Sequence, residues 1–191
     1  MGRTVGVLGL QGDFALHAKS LKRVGVNTRI VRWPAELEGC DGLILPGGES
    51  TTFVKLLKKM ELFDAVEAFA KDYALMGTCA GLITMATKVA NDSLETLGLI
   101  DLEVERNGYG RQVDSFVDTV QVSVFTDKPA FEGVFIRAPK IRKVGKGTEV
   151  LGVHGEEVVM VRNDRVLVTT FHPELTRDTR IHQYFVEAFL K

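Results

Sequence analysis

Two regimes of hydrophobic patterning divide the chain. Up to about residue 90, short apolar runs alternate with stretches of helical period. Thr4–Leu10 reads as a buried strand, and Phe14–Val24 as an amphipathic helix with Phe14, Leu21 and Val24 on its apolar face. Thr28–Trp33 is a second strand stopped by Pro34, and Gly42–Leu45 is a third, ended by Pro46-Gly47-Gly48. Ser50–Ala70 holds one or two helices. Ala74–Met76 is a fourth strand, and the helix after it runs to about Ala90. Beyond that point the period shortens. Leu97–Glu105, Thr119–Phe125, Gly133–Ala138, Glu149–His154, Glu157–Arg162 and Arg165–Phe171 are strand-like, and Arg162-Asn163-Asp164-Arg165 suits a hairpin turn. Arg177–Leu190 closes the chain as an amphipathic helix with Ile181, Tyr184, Phe185, Ala188 and Phe189 on one face.

Strands alternating with helices imply a parallel sheet covered on both faces, with ligands at the strands' carboxyl ends. The second half then reads as an antiparallel extension of the same sheet. No repeat or linker divides the halves, and 191 residues favour a single domain over 1–191. The expected fold class is therefore α/β, a three-layer fold with a mainly parallel central sheet and an antiparallel extension.

Composition narrows the partners. With 24 basic against 25 acidic residues, there is no electrostatic reason to expect nucleic acid or an anionic membrane. Apolar runs are too short to span a bilayer, and the N-terminus lacks a signal-peptide pattern, so a cytoplasmic protein is expected. Two cysteines, Cys40 and Cys79, make no disulfide framework; Cys40 reads as a small structural residue. Four histidines without metal-ligand spacing give no basis for a metal site.

Gly77-Thr78-Cys79-Ala80-Gly81 lies between an apolar strand and a helix-compatible run. A strand turning into a helix through G-x-C-x-G is a nucleophile elbow written with cysteine, which projects the thiol beside a helix N-terminus. Far downstream, Phe171-His172-Pro173-Glu174 supplies a histidine and a carboxylate after another apolar run. One nucleophile with a distant histidine and acid is the trace of a Cys-His-acid site. Pro173 pushes His172 toward extended backbone, where residues two apart share a side. Leu45-Pro46-Gly47-Gly48-Glu49-Ser50 also leaves a strand and opens a helix. A backbone N–H at Gly48, with that of Ala80, would make an oxyanion hole; a turn with a Ser50 helix cap is the simpler use of the same residues. Gln11, in Gly9-Leu10-Gln11-Gly12, is a ligand contact or a loop residue. The acid follows the histidine here, unlike the order of α/β-hydrolases.

These motifs resemble the class I (triad) glutamine amidotransferases. Gly9-Leu10-Gln11-Gly12, Pro46-Gly47-Gly48-Glu49-Ser50-Thr51-Thr52, Glu105-Arg106-Asn107 with Gly110–Phe116, and Gly133-Val134-Phe135-Ile136-Arg137-Ala138-Pro139 further resemble the glutaminase subunits of pyridoxal 5′-phosphate synthases. The similarity covers essentially the whole chain and implies a flavodoxin-like fold. It implies Cys79 as nucleophile with His172 and Glu174, and Gly48, Glu49, Ser50, Arg106, Ile136 and Arg137 as glutamine-binding positions. Residue chemistry suits this: a guanidinium from Arg106 or Arg137 for the α-carboxylate, and Glu49 for the ammonium. The resemblance further implies L-glutamine as substrate, no cofactor bound to this chain, and a barrel-shaped synthase subunit that takes up the ammonia. Gln11 and His17, near the expected docking face, are candidates for sensing that partner. Two rival readings use subsets of the same residues: a triad glutaminase for another pathway, and a thiol redox sensor on a similar sheet.

Overall fold

The computed structural model describes residues 2–109 and 115–190. Part of the Gly110–Phe116 block, residues 110–114, therefore lies outside the described residues. Strands and helices alternate through the first half: β1 (Thr4–Leu8), α1 (Phe14–Arg23), β2 (Asn27–Val31), β3 (Gly42–Leu45), α2 (Ser50–Lys59), α3 (Leu62–Phe69), β4 (Ala74–Thr78) and α4 (Ala80–Met85). There follow β5 (Ala86–Val89), β6 (Ile100–Glu105), β7 (Ser115–Val122), β8 (Ala130–Ile136), β9 (Lys140–Val144), β10 (Glu149–His154), β11 (Glu157–Arg162), β12 (Val166–Thr169) and α5 (Arg180–Phe189). No helix among the described residues is long and apolar enough to cross a membrane.

Nine strands form one sheet in the order β2-β1-β3-β4-β12-β11-β10-β7-β8. The β2-β1-β3-β4-β12 half is parallel, and the β12-β11-β10-β7-β8 half is antiparallel. Alternating side chains fill the two faces, as a pleated strand requires. Leu43, Leu45, Leu75, Val166 and Val168 pack with Phe53, Leu57, Phe63 and Val66 of α2 and α3. Ile44, Met76 and Leu167 point the other way, onto Leu21 of α1 and Ile181 and Phe185 of α5. The expected three-layer arrangement is thus present. The hairpin between β11 and β12 also forms, with Asn163 Oδ1 accepting from the N–H groups of Arg165 (3.0 Å) and Val166 (2.8 Å).

The second half departs from expectation in one respect. Instead of a single extended sheet, β5, β6 and β9 make a separate three-stranded sheet, and the helix expected to reach Ala90 stops at Met85. Thr87 and Val89 are β-branched and weaken a helix there, while Thr87 Oγ1 donates to the carbonyl of Leu102 at 3.0 Å. β9 has a single inward apolar residue, Ile141, which is why no strand was read there. Its place is set by cross-strand ion pairs, Arg142 with Glu105 and Lys143 with Glu103.

The antiparallel half curls until its edge strand β8 touches the chain leaving β12. The N–H of His172 donates to the carbonyl of Val134 at 2.8 Å. Phe135 fills the curl, stacked on Phe116 at 4.5 Å between ring centroids and set against Phe171 at 5.6 Å. This closure brings residues of β8 to the carboxyl ends of β3, β4 and β12.

Candidate active site

Cys79 sits where β4 turns into α4. Its backbone has φ +49° and ψ −102°, a conformation that side-chain-bearing residues rarely adopt and that costs roughly 1–3 kcal/mol. Ladder contacts hold it there. The Cys79 N–H donates to Thr169 O at 2.9 Å, and the N–H of Ile83 to Cys79 O at 3.1 Å. Its sulfur lies 3.9 Å from the carbonyl oxygen of Ile136, which the curled β8 delivers.

His172 and Glu174 are both buried, and His172 Nδ1–H donates to Glu174 Oε1 at 2.7 Å. The intervening backbone is not the extended segment expected. Pro173–Leu175 forms a single 3₁₀ turn, and that turn swings the carboxylate back onto the ring. With Nδ1 engaged, Nε2 is left for the sulfur side. Burial alone would push the imidazole pKa down, but the hydrogen bonds and charges of Cys79 and Glu174 outweigh it and raise the value to about 10. Glu174 moves the other way: burial opposes ionisation, yet His17 and His172 hold its pKa at about 2.

Cys79, His172, Gly48, Glu49, Ser50, Arg106, Ile136 and Arg137 all line one cavity of about 340 Å³. Gly12, Gly47 and Asn107 of the quoted motifs line it as well, as do Asp13 and Ile83, which were assigned no role from sequence. Of the expected oxyanion pair, Gly48 lines the cavity with φ +137°, and Ala80 is the buried first residue of α4 beside Cys79. Gln11 lies outside the lining and half-buried; its Nε2–H donates to Glu49 O at 3.0 Å, with its amide against Gly48.

Glu49, not Ser50, caps α2. Its carboxylate accepts from the N–H groups of Thr51 (3.0 Å) and Thr52 (2.7 Å) and from the Thr52 hydroxyl (2.7 Å). Burial opposes ionisation here too, but these donors lower the Glu49 pKa to about 2. Arg106 bridges Glu49 Oε1 (2.9 Å) and Asp92 Oδ2 (2.8 Å). Asp92 was not singled out from sequence, because a lone acid in a turn carries no signal. This cluster of two carboxylates and one guanidinium has a net negative charge. Arg137, exposed and at φ +42°, makes no ion pair among the described residues.

His17 overturns the reading of a helix side chain near a docking face: it is fully buried behind Glu174. The signal was present in the sequence, since His17 stands three residues from Phe14 and four from Leu21, on the apolar stripe itself.

Comparison with known proteins places this architecture. The chain is 49% identical over 183 residues to "Pyridoxal 5'-phosphate synthase subunit PdxT" of Oenococcus oeni, covering 96% of this chain and 95% of that one. It is 45% identical over 188 residues to the protein of the same name from Thermosipho africanus, covering 98% and 99%. A solved structure, "Crystal structure of glutamine amidotransferase", superposes with a TM-score of 0.90 at 46% identity, covering 96% of this chain and 97% of that one. The sequence model of the SNO glutamine amidotransferase family matches residues 7–191, and the chain belongs to that family.

Proposed function

We propose that this chain acts over its whole length as one glutaminase domain, hydrolysing L-glutamine to L-glutamate and ammonia. Cys79 is the nucleophile, His172 the acid and base, and Glu174 the group that orients His172. The observation that carries this reading is the Glu174–His172 pair at 2.7 Å beside the strained Cys79, on one cavity. About 340 Å³ lies at the small end of ligand sites, roughly 300–1,000 Å³, and suits an amino acid.

The cavity's charges fit a zwitterion. Arg137 takes the α-carboxylate, and the net negative Glu49–Arg106–Asp92 cluster draws the ammonium. The side-chain amide then lies over Cys79. With its proton held on His172 Nε2, the sulfur attacks the amide carbon. N–H groups of Gly48 and Ala80 receive the oxyanion, a contribution of roughly 2.7–4 kcal/mol per donor. The C–N bond breaks as His172 protonates the nitrogen, and ammonia leaves a γ-glutamyl thioester on Cys79. Water gives a proton to His172 and attacks the thioester. The sulfur leaves, His172 keeps that proton, and glutamate departs.

Ammonia released into water becomes ammonium, which is no nucleophile. The product is therefore handed to a partner, a barrel-shaped synthase subunit that builds pyridoxal 5′-phosphate and docks over the strands' carboxyl ends. Gln11, bonded to the Glu49 carbonyl beside Gly48, is placed to respond to that docking. The thiol must stay reduced, which suits the cytoplasm.

The test is ammonia release from glutamine with the synthase subunit present and absent. Turnover is expected in the complex, with Cys79→Ala inactive and a glutamine-derived affinity reagent labelling only the wild type. No release even in the complex would falsify the reading. Release without support of a pyridoxal auxotroph would leave a glutaminase of another pathway.

A further inference from the structure

The second oxygen of Glu174 has its own neighbours. Oε1 accepts from His172, while Oε2 is buried with no hydrogen-bond partner among the described residues; His17 Nε2 lies 3.3 Å from it. The same Nε2 is 3.3 Å from the Thr78 hydroxyl, one residue before Cys79. On its far side, His17 Nδ1 is 2.9 Å from His182 Nε2. His17 comes from α1 and His182 from α5, and both are fully buried. Burying two imidazoles is unfavourable unless their hydrogen bonds are made, and apolar residues would fill the site more cheaply.

The proton positions follow from the acceptors. A carboxylate oxygen can only accept, so a lone pair on His17 Nε2 would face a negative charge; Nε2 carries the hydrogen. Neutral His17 then has a lone pair on Nδ1, so His182 Nε2–H is the donor to it. Burial, the largest influence on each ring, lowers both pKa values, that of His182 to about 3, so both stay neutral. The groups facing this pair are Glu174 and His172 from the site and Asp13 at the start of α1.

We infer that His17 is a positioning residue: the Nε2–H edge of its ring, 3.3 Å from Glu174 Oε2, steadies that charge by a dipole contact so that Oε1 stays aimed at His172 Nδ1, and His182 Nε2–H fixes His17 in the tautomer that puts the proton on this edge. The chain of contacts runs from the Cys79 cavity through His172, Glu174 and His17 to α5. It rests on the glutaminase reading for its catalytic consequence, though not for its proton positions.

Two measurements test it. In the ¹⁵N spectrum of histidine-labelled protein at pH 7, His17 and His182 should both be neutral Nε2–H tautomers, and the His172 Nδ1 proton should shift in His17→Leu but not in His17→Gln. A protonated His17, or its Nδ1–H tautomer, overturns the inference whether or not the protein has glutaminase activity. In the complex with the synthase, His17→Leu should lose about 10–100-fold in kcat with KM little changed, the cost of turning an apolar side chain onto the buried Oε2. The acid limb of its pH profile should move up, because Glu174 loses a neighbour that favours its charge. His17→Gln, which keeps an N–H at the same reach, should restore most of the rate and the wild-type limb. A folded Gln variant as impaired as the Leu variant, or a Leu variant with wild-type kcat and limb, overturns it. A wild type that releases no ammonia counts against the glutaminase reading alone, and the spectra still decide this one.

Discussion

The imidazole of His172 rests directly on the backbone of Gly47. A Cβ at residue 47 would overlap the ring's Cε1 and stand 3.0 Å from its Nδ1. The ring is thus fixed from two sides, by this glycine and by the 2.7 Å hydrogen bond to Glu174. Gly47→Ala should push the imidazole away from Cys79 with little change to the surrounding core. A displacement near 1 Å costs on the order of 10²-fold in kcat, so a loss of that size is expected with Tm lowered by only a few degrees. Steady-state kinetics of the complex beside a melting curve would check it; unchanged kcat refutes the contact's importance.

Strain at Cys79 makes a second expectation. With φ +49°, any side chain at this position is held against its preference, and glycine alone is exempt. Cys79→Gly and Cys79→Ala both remove the sulfur and should both be inactive. The Gly variant should nonetheless be the more stable, by about 1 kcal/mol, even though glycine ordinarily costs unfolded-state entropy. That difference is about 2–4 °C in Tm for a chain of this size. An Ala variant equal to or above the Gly variant would show that the elbow is unstrained.

Where bonding is local, the sequence was sufficient. The elbow needs only a strand, two glycines and a cysteine in order, and the His172–Glu174 pair spans two residues. Those features, and the apolar alternation of β1, β3, β4 and β12, were legible directly. β5 and β9 were not, because their pairing depends on ion pairs to β6 rather than on an apolar pattern of their own. Asp92 was invisible for a related reason: it reaches the site only through Arg106, fourteen residues on, once the small sheet has folded. His17 was misread and His182 passed over, though neither was hidden. Each occupies the apolar stripe of its helix, His182 three residues before Phe185, where a polar residue signals a buried partner.

Asp92 and Glu49 hold Arg106 between them at 2.8 and 2.9 Å, at the cavity wall. Asp92→Asn removes one negative charge and releases one arm of the guanidinium, leaving the triad untouched. The groups are partly exposed, so the effect is modest, about 1 kcal/mol. KM for glutamine should rise about 5-fold with kcat unchanged, and the increase should shrink at high salt. Glu49→Gln should raise KM similarly and also lower stability by about 1 kcal/mol, since its carboxylate caps α2. A fall in kcat alone in Asp92→Asn would place Arg106 at the reacting amide instead of the ammonium.

Stability should depend on pH through the buried imidazoles. Unfolded, each histidine takes up a proton near pH 6.5; folded, His182 does so only near pH 3, and His17 is lowered as well. Below pH 6.5 the unfolded chain therefore binds more protons than the folded one, and stability falls as the pH falls. Each such group contributes a slope of up to about 1.4 kcal/mol per pH unit. His172 acts with the opposite sign. Its folded pKa of about 10 gives stability that is complete below pH 6.5 and lost as the pH climbs through 10. Glu174, held at about 2, contributes stability present above pH 4.5 and lost toward pH 2. Between pH 4.5 and 6.5 those two are constant, and the His17–His182 pair alone sets the slope among these four groups. Melting curves across that window should show Tm dropping steadily in the wild type and dropping more shallowly in His182→Met, whatever the variant's absolute stability. Parallel slopes would mean that His182 is already protonated in the fold and is not the neutral ring that burial beside His17 requires.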